Sequence, residues 1–183
     1  MATTQAPAAS STFKIDPSHS HVEFAVKHLM ISTVKGRFAD VEGDIVIVDG
    51  NLPASSVSAV IKTASIDTRT AQRDEHLRSA DFFDVAKYPE ITFKSTKISG
   101  NDAEFKLTGN LTISGVTKEI TLDATNEGSG KDPWGGERIG FSAKGKIDRR
   151  DFGLVYNQAI ESGGVVIGHE VKISLEVEAV KQA

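Results

Sequence analysis

Within residues 64–93, ASIDTRTAQRDEHLRSADFFDVAKYPEITF, stand the side chains most suggestive of acid/base chemistry: Asp67, Arg69, Arg73, Asp74, His76 and Arg78. A carboxylate near a histidine can relay a proton, and guanidinium groups can steady an anion formed on the way. The spacing favours a plainer use. Asp74 and Arg78 stand four apart on a predicted short helix, the register of a solvated ion pair that contributes about 0.5 kcal/mol. The cluster is therefore read as structural. His19 and His21 stand two apart and could touch one metal ion, but zinc needs three or four ligands in patterns such as HExxH, and none occurs. His28 reads as a core histidine bonded to a neighbour, and His169 as a strand-entry residue. There is no GxSxG, P-loop or strand-borne GxGxxG, and zero Cys removes thiolate and disulfide chemistry. No catalytic residue, metal site or cofactor is expected.

The elements that must position these residues are strands. Residues 20–28 alternate, with Val22, Phe24, Val26 and His28 on one face and His21, Glu23 and Lys27 on the other. After a turn at Gly36, residues 38–48 put Val41, Gly43, Ile45 and Ile47 inward, and residues 55–62 do the same with Val57, Ala59 and Ile61. Beyond the charged stretch, residues 90–98 offer Ile91 and Phe93, and residues 103–113 offer Phe105, Leu107, Gly109, Leu111 and Ile113. Ser114 and Gly115 make a hairpin turn into residues 116–126, with Ile120, Leu122 and Ala124 inward. A Gly-rich loop, GSGKDPWGG, carries the single Trp, Trp134. Residues 138–148 then present Ile139, Phe141, Ala143, Gly145 and Ile147, and residues 169–179 present Val171, Ile173, Leu175, Val177 and Ala179.

Eight strands joined by short turns, with one break long enough for a helix and a crossing loop, predict an all-β antiparallel meander. Such a meander closes into a small barrel, with a two-sheet sandwich as the alternative. Small inward residues (Gly43, Ala59, Gly109, Ala124, Ala143 and Gly145) argue for a hollow lumen, although a barrel also uses glycines as closure kinks. With only His28 and Ser95 as polar lining, the lumen suits an elongated apolar ligand, each buried methylene contributing about 0.8 kcal/mol. The net charge of -4 and pI near 5.7 offer no positive field for nucleic acid. Residues 1–12, MATTQAPAASST, read as a disordered polar arm ahead of one domain over residues 13–183. They lack the charged n-region and apolar run of a secretory signal, so a cytoplasmic location is expected. No stretch is apolar for the ~18 residues of a membrane span.

The strings FKIDPSHSHVEFAVKH, STVKGRF, ASIDTRTAQRDEHLRSADFFDVAKYPEITF, LTGNLTISGVTKEITL and IDRRDFGL closely resemble the YceI-like family over residues 13–180. The resemblance implies a lipocalin-like eight-stranded antiparallel barrel, with one short helix and crossing loop. Its pore would take a polyisoprenoid or isoprenoid quinone without reacting with it. His28, Arg37, Arg73, Asp74, His76, Leu77, Phe82, Phe83, Asp84, Tyr88 and Pro89 stand where the family motif has them. It implies Phe82 and Phe83 at one barrel end and assigns Arg73, Asp74 and His76 to fixing the crossing segment. Family members are often exported to the periplasm, a habit from which the opening residues depart. The expected function is non-catalytic binding, storage or carriage of a long isoprenoid lipid. Its lumen contacts would be Phe24, Val26, His28, Phe82, Phe83, Phe93, Phe105, Leu107, Phe141, Ile147 and Ile173. The alternatives are an enzyme using His28 or His76 on that lipid and a filled-barrel stress or interaction module. A homodimer is also carried as an expectation.

Overall fold

The structure is a computed structural model and describes residues 8–161 and 163–183. Period-two alternation becomes a ring of eight antiparallel staves, of which the first three are each broken in two. The first stave is β1 (Ser10–Ile15) followed by β2 (His21–His28), the second β3 (Ser32–Phe38) followed by β4 (Val41–Val48). The third is β5 (Ser56–Lys62) with the short β6 (Ile66–Asp67). The other five are unbroken: β7 (Glu90–Gly100), β8 (Glu104–Ile113), β9 (Val116–Lys131), β10 (Glu137–Asp148) and β11 (Ile167–Lys181). Each stave pairs with the next, and β11 pairs back onto both β1 and β2, which closes a lipocalin-like barrel. Among the described residues, closure leaves no long free edge.

The breaks are stitched by side chains. Where the first stave leaves β11 at residues 16–20, the buried Ser20 hydroxyl donates to the Glu178 carbonyl at 3.1 Å and accepts from the Glu178 N–H at 3.0 Å. One serine thus replaces a missing ladder residue. At the β7 irregularity, Ser95 Oγ accepts from the Val57 N–H at 2.9 Å.

Several expectations need correction. Gly36 is not a turn: it lies inside β3 opposite Phe24, and a Cβ there would meet the Phe24 ring at 2.4 Å. The missing side chain is the seat of an aromatic ring. The Gly-rich loop is instead the extended end of β9, paired with β10 as far as Lys131 and Glu137, leaving only the tip with Trp134 as a turn. Of the expected polar arm, residues 1–7 lie outside the described residues, while Ser10–Thr12 already pair with β4.

The main core lies toward the end where the chain crosses between β6 and β7, around Val41, Ile66, Phe152 and Ala179, each no more than 1% exposed. A smaller cluster of Ile98, Leu107, Leu122, Ala124 and Ala143 packs nearer the other end. Among the described residues no helix is long and apolar enough to cross a membrane.

Candidate functional site: the barrel cavity and its two ends

The inward faces of the staves enclose a cavity of about 710 Å³. That lies within the range of about 300–1,000 Å³ typical of small-molecule sites. Phe24, Val26, Phe93, Phe105, Leu107, Phe141, Ile147 and Ile173 stand in its wall, as do His28, Phe82 and Phe83. The alanines Ala59, Ala124 and Ala143 line it, the last two facing each other across β9 and β10. The inward glycines add no such space. A Cβ at Gly109 would strike the Phe93 ring at 2.4 Å, one at Gly145 the Leu122 side chain at 2.5 Å, and one at Gly43 the Ser58 carbonyl. Each glycine is filled by a neighbour, so the hollow comes from alanines and from the ring's circumference.

One end of the cavity is crossed by α1 (Ala71–Arg78) and the loop behind it. Ala, Gln, Glu, Leu and Arg favour a helix here, but eight residues are too few to hold one unaided. The hold comes from Thr68, which is buried just before the helix. Asp74 Oδ1 accepts from the Thr68 N–H at 2.9 Å and from its hydroxyl at 2.5 Å. Arg73 Nε donates to Thr68 Oγ1 at 2.7 Å, and its Nη2 to the Thr68 carbonyl at 2.8 Å. Arg78 donates to the Ala64 and Ile66 carbonyls at 3.1 and 2.9 Å. The expected Asp74–Arg78 ion pair is therefore absent: both side chains are used on backbone, because Asp74 is buried rather than solvated. Arg73 and Asp74 do meet at Thr68, whereas His76 belongs to a different group.

His76 Nε2 lies 2.8 Å from Asp81 Oδ2, and its ring meets Phe82 and Tyr156 edge-on at 5.1 and 4.9 Å. Phe82 also packs on Tyr156 at 5.1 Å, and Phe83 stands edge-on to Phe38 at 5.5 Å. These aromatic contacts tie the crossing loop to the rim. Tyr156 belongs to the segment after β10, which is drawn in by Arg149. Arg149 is 4% exposed, and burial pulls its guanidinium below the ordinary arginine pKa while nearby Asp148 opposes the shift.

The polar lining departs from expectation. Ser95 is spent on the β5–β7 ladder, while Arg73, His76 and Arg149 enter the wall at the helix end. Asp49, Asp102, Asn126 and Ser142 enter it at the opposite end, among the β4–β5, β7–β8 and β9–β10 connections. Arg149 and Thr68 are the residues sequence reasoning passed over. Arg149 sits in the quoted string IDRRDFGL, where two adjacent arginines give no sign of which is buried.

On the outer wall, Asp16, His19 and Glu178 bring ligand-type atoms within 4.8 Å of one another. Arg138 already supplies their cation, donating to Asp16 at 2.9 Å and to Glu178 at 2.6 Å. His21 is not in that group and lies 3.8 Å from Glu23.

This closed antiparallel barrel with an apolar lumen and one capping helix belongs to the lipocalin-like class. The chain is a member of the YceI-like family, whose domain model matches residues 13–179. It is 42% identical over 181 residues to Protein YceI of Salmonella newport (strain SL254), covering 98% of this chain and 92% of that protein. The crystal structure of the Campylobacter jejuni YCEI protein matches with a TM-score of 0.72 at 39% identity, over 86% of this chain and 90% of the other. A polyisoprenoid binding domain from Saccharophagus degradans, implicated in plant cell wall breakdown, shares the fold with a TM-score of 0.66 at 18% identity. That match covers 96% of this chain and 99% of the domain.

Proposed function

We propose that this protein binds a long isoprenoid lipid, a polyisoprenoid or isoprenoid quinone, in the barrel lumen and stores or carries it without chemical change. The observation that carries this reading is the distribution of polarity: a cavity of about 710 Å³ walled mostly by aliphatic and aromatic side chains, with Arg73, His76 and Arg149 at one end and Asp49 and Asp102 at the other. A chain of repeated apolar units gains about 0.8 kcal/mol per buried methylene and asks for few directed contacts along its length. The fold shared with a polyisoprenoid binding domain supports the same ligand class.

Native mass spectrometry and solvent extraction of the purified protein test it. Copurification or uptake of a long-chain isoprenoid is expected, with the lipid recovered unchanged after long incubation. Ala143→Phe, which fills the lumen beside Ala124, should lower lipid retention while the far-UV circular dichroism stays that of a barrel. An empty protein that takes up no long isoprenoid overturns the reading, and a chemically altered lipid overturns its non-catalytic part. Cell fractionation tests the cytoplasmic location, and sedimentation velocity the expected homodimer.

A further inference from the structure

At the two ends of the cavity the wall charges are sorted, with Arg73 and Arg149 at the helix end and Asp49 and Asp102 at the other, while Glu23 and Lys27 of the wall are exposed on β2. Neither arginine meets a carboxylate. Arg149 Nε donates to the Gly168 carbonyl at 2.8 Å, Nη1 to the Leu154 and Tyr156 carbonyls at 2.5 and 2.9 Å, and Nη2 to the Ile167 carbonyl at 3.3 Å. All four partners are neutral. The adjacent carboxylate, Asp148, is taken by Arg150, whose Nη2 lies 2.5 Å from Asp148 Oδ2. Arg73 also bonds only to neutral oxygens: those of Thr68, and the Thr70 hydroxyl at 3.2 Å.

A guanidinium has five N–H donors. Among the described residues, these bonds leave one N–H of Arg149 Nη2 and both of Arg73 Nη1 without a protein acceptor. Carbonyl dipoles offset part of the cost of burying the Arg149 charge, and a second anionic partner would offset more. The two arginines belong to one neighbourhood: Tyr156, whose carbonyl accepts from Arg149, lies against His76, one turn beyond Arg73 on α1. His76 has its own partner in Asp81, and the wall carboxylates Asp49 and Asp102 lie at the other end. Glu23, the remaining wall carboxylate, is exposed on β2.

We propose that the helix end of the cavity is a head-group subsite for anionic oxygens, phosphate or carboxylate, on the lipid whose chain fills the lumen, with Arg149 and Arg73 as the donors. This rests on the lipid-binding reading above. The ligand then lies with its head under α1 and its tail toward Phe105 and Phe141. Arginine suits the task because its planar fork matches two oxygens at once.

The test measures binding of geranylgeranyl monophosphate, geranylgeranoic acid and geranylgeraniol, three probes with one chain and different heads, to delipidated wild-type protein by calorimetry. Binding of at least one anionic probe about tenfold or more tighter than the alcohol is expected. A preference for the monophosphate alone assigns the site to phosphate, and for the acid alone to carboxylate. Arg73→Gln should weaken the anionic probe by a larger factor than the alcohol, and Arg149→Lys, which keeps the charge, should retain part of the preference. Equal binding of all three probes to the wild type overturns the head-group subsite and leaves lipid binding standing. Failure of all three, with no uptake of longer isoprenoids, overturns lipid binding itself. The wild-type comparison decides the matter even where an Arg149 variant does not fold.

Discussion

Arg138 and Arg149 stand eleven residues apart on the chain and meet opposite surroundings. Arg138 is partly exposed and reaches three carboxylates: Asp16 at 2.9 Å, Asp132 at 2.9 Å and Glu178 at 2.6 Å. It joins β1, β11 and the β9–β10 turn across the closure of the barrel, a seam that β1 and β11 share over only three residue pairs. Arg149 is buried at the cavity and reaches four carbonyls but no carboxylate. The difference separates two uses of one residue type. Where the chain supplies the counter-charge, the arginine fastens. Where it supplies only dipoles, the arginine orders a loop beside the cavity.

The largest effect expected from breaking this contrast is that of Arg149→Met. It removes a donor from four carbonyls at once; the Ile167 carbonyl keeps the Asn157 amide at 2.7 Å, and buried acceptors left unpaired among the other three cost about 1–3 kcal/mol each. A loss of at least about 3 kcal/mol in urea unfolding is expected, together with faster proteolysis in residues 153–166. Unchanged stability would show that the guanidinium does not hold this segment. Arg138→Met is expected to lower the melting temperature by less, and its effect should depend on pH. Ser18, His19 and Arg138 all donate to Asp16 and hold its carboxyl well below the ordinary 3.8, and Arg138 does the same for Asp132. A carboxyl whose pKa is depressed by folding adds stability above its unfolded value, and that stability disappears as pH falls toward the folded value. The difference between wild type and Arg138→Met should therefore stay constant from about pH 5 to 7 and shrink below about pH 4. A difference that grows on acidification contradicts the fastening role. The preference for anionic probes should survive Arg138→Met.

Much of this architecture is legible because period-two alternation is a direct consequence of pleating. Phe105, Leu107 and Leu111 announce an inward face whatever lies around them. The broken staves are not legible in that way. Ser10–Ile15 and Ser32–Phe38 are short and polar on their outer faces, and a glycine inside β3 looks like a turn until Phe24 is placed against it. The crossing segment showed its charges but not its wiring. Asp74 and Arg78 have the spacing of a surface pair, and only the burial of Thr68 turns Asp74 inward. Arg149 was illegible for the same reason. Its acceptors at Ile167 and Gly168 come from β11, nearly twenty residues onward, and nothing local separates it from Arg150.

Ser20 offers the smallest and cleanest test of how the seam is fastened, because it changes no charge. Its hydroxyl accepts the Glu178 N–H at 3.0 Å and donates to the Glu178 carbonyl at 3.1 Å, while that carbonyl also accepts from the Asp16 N–H at 2.8 Å. Ser20→Ala thus leaves the carbonyl one partner and the N–H none. The expected loss is about 1 kcal/mol, the usual weight of one hydrogen bond whose donor is stranded. Amide exchange at Glu178 should accelerate while the Arg138 ion pairs keep their acid dependence. If the Glu178 amide exchanges as slowly as before, backbone pairing alone holds the break. If the acid dependence vanishes with the hydroxyl, Arg138 needs Ser20 to set Glu178 in place, and charge and ladder at the seam form one cooperative unit.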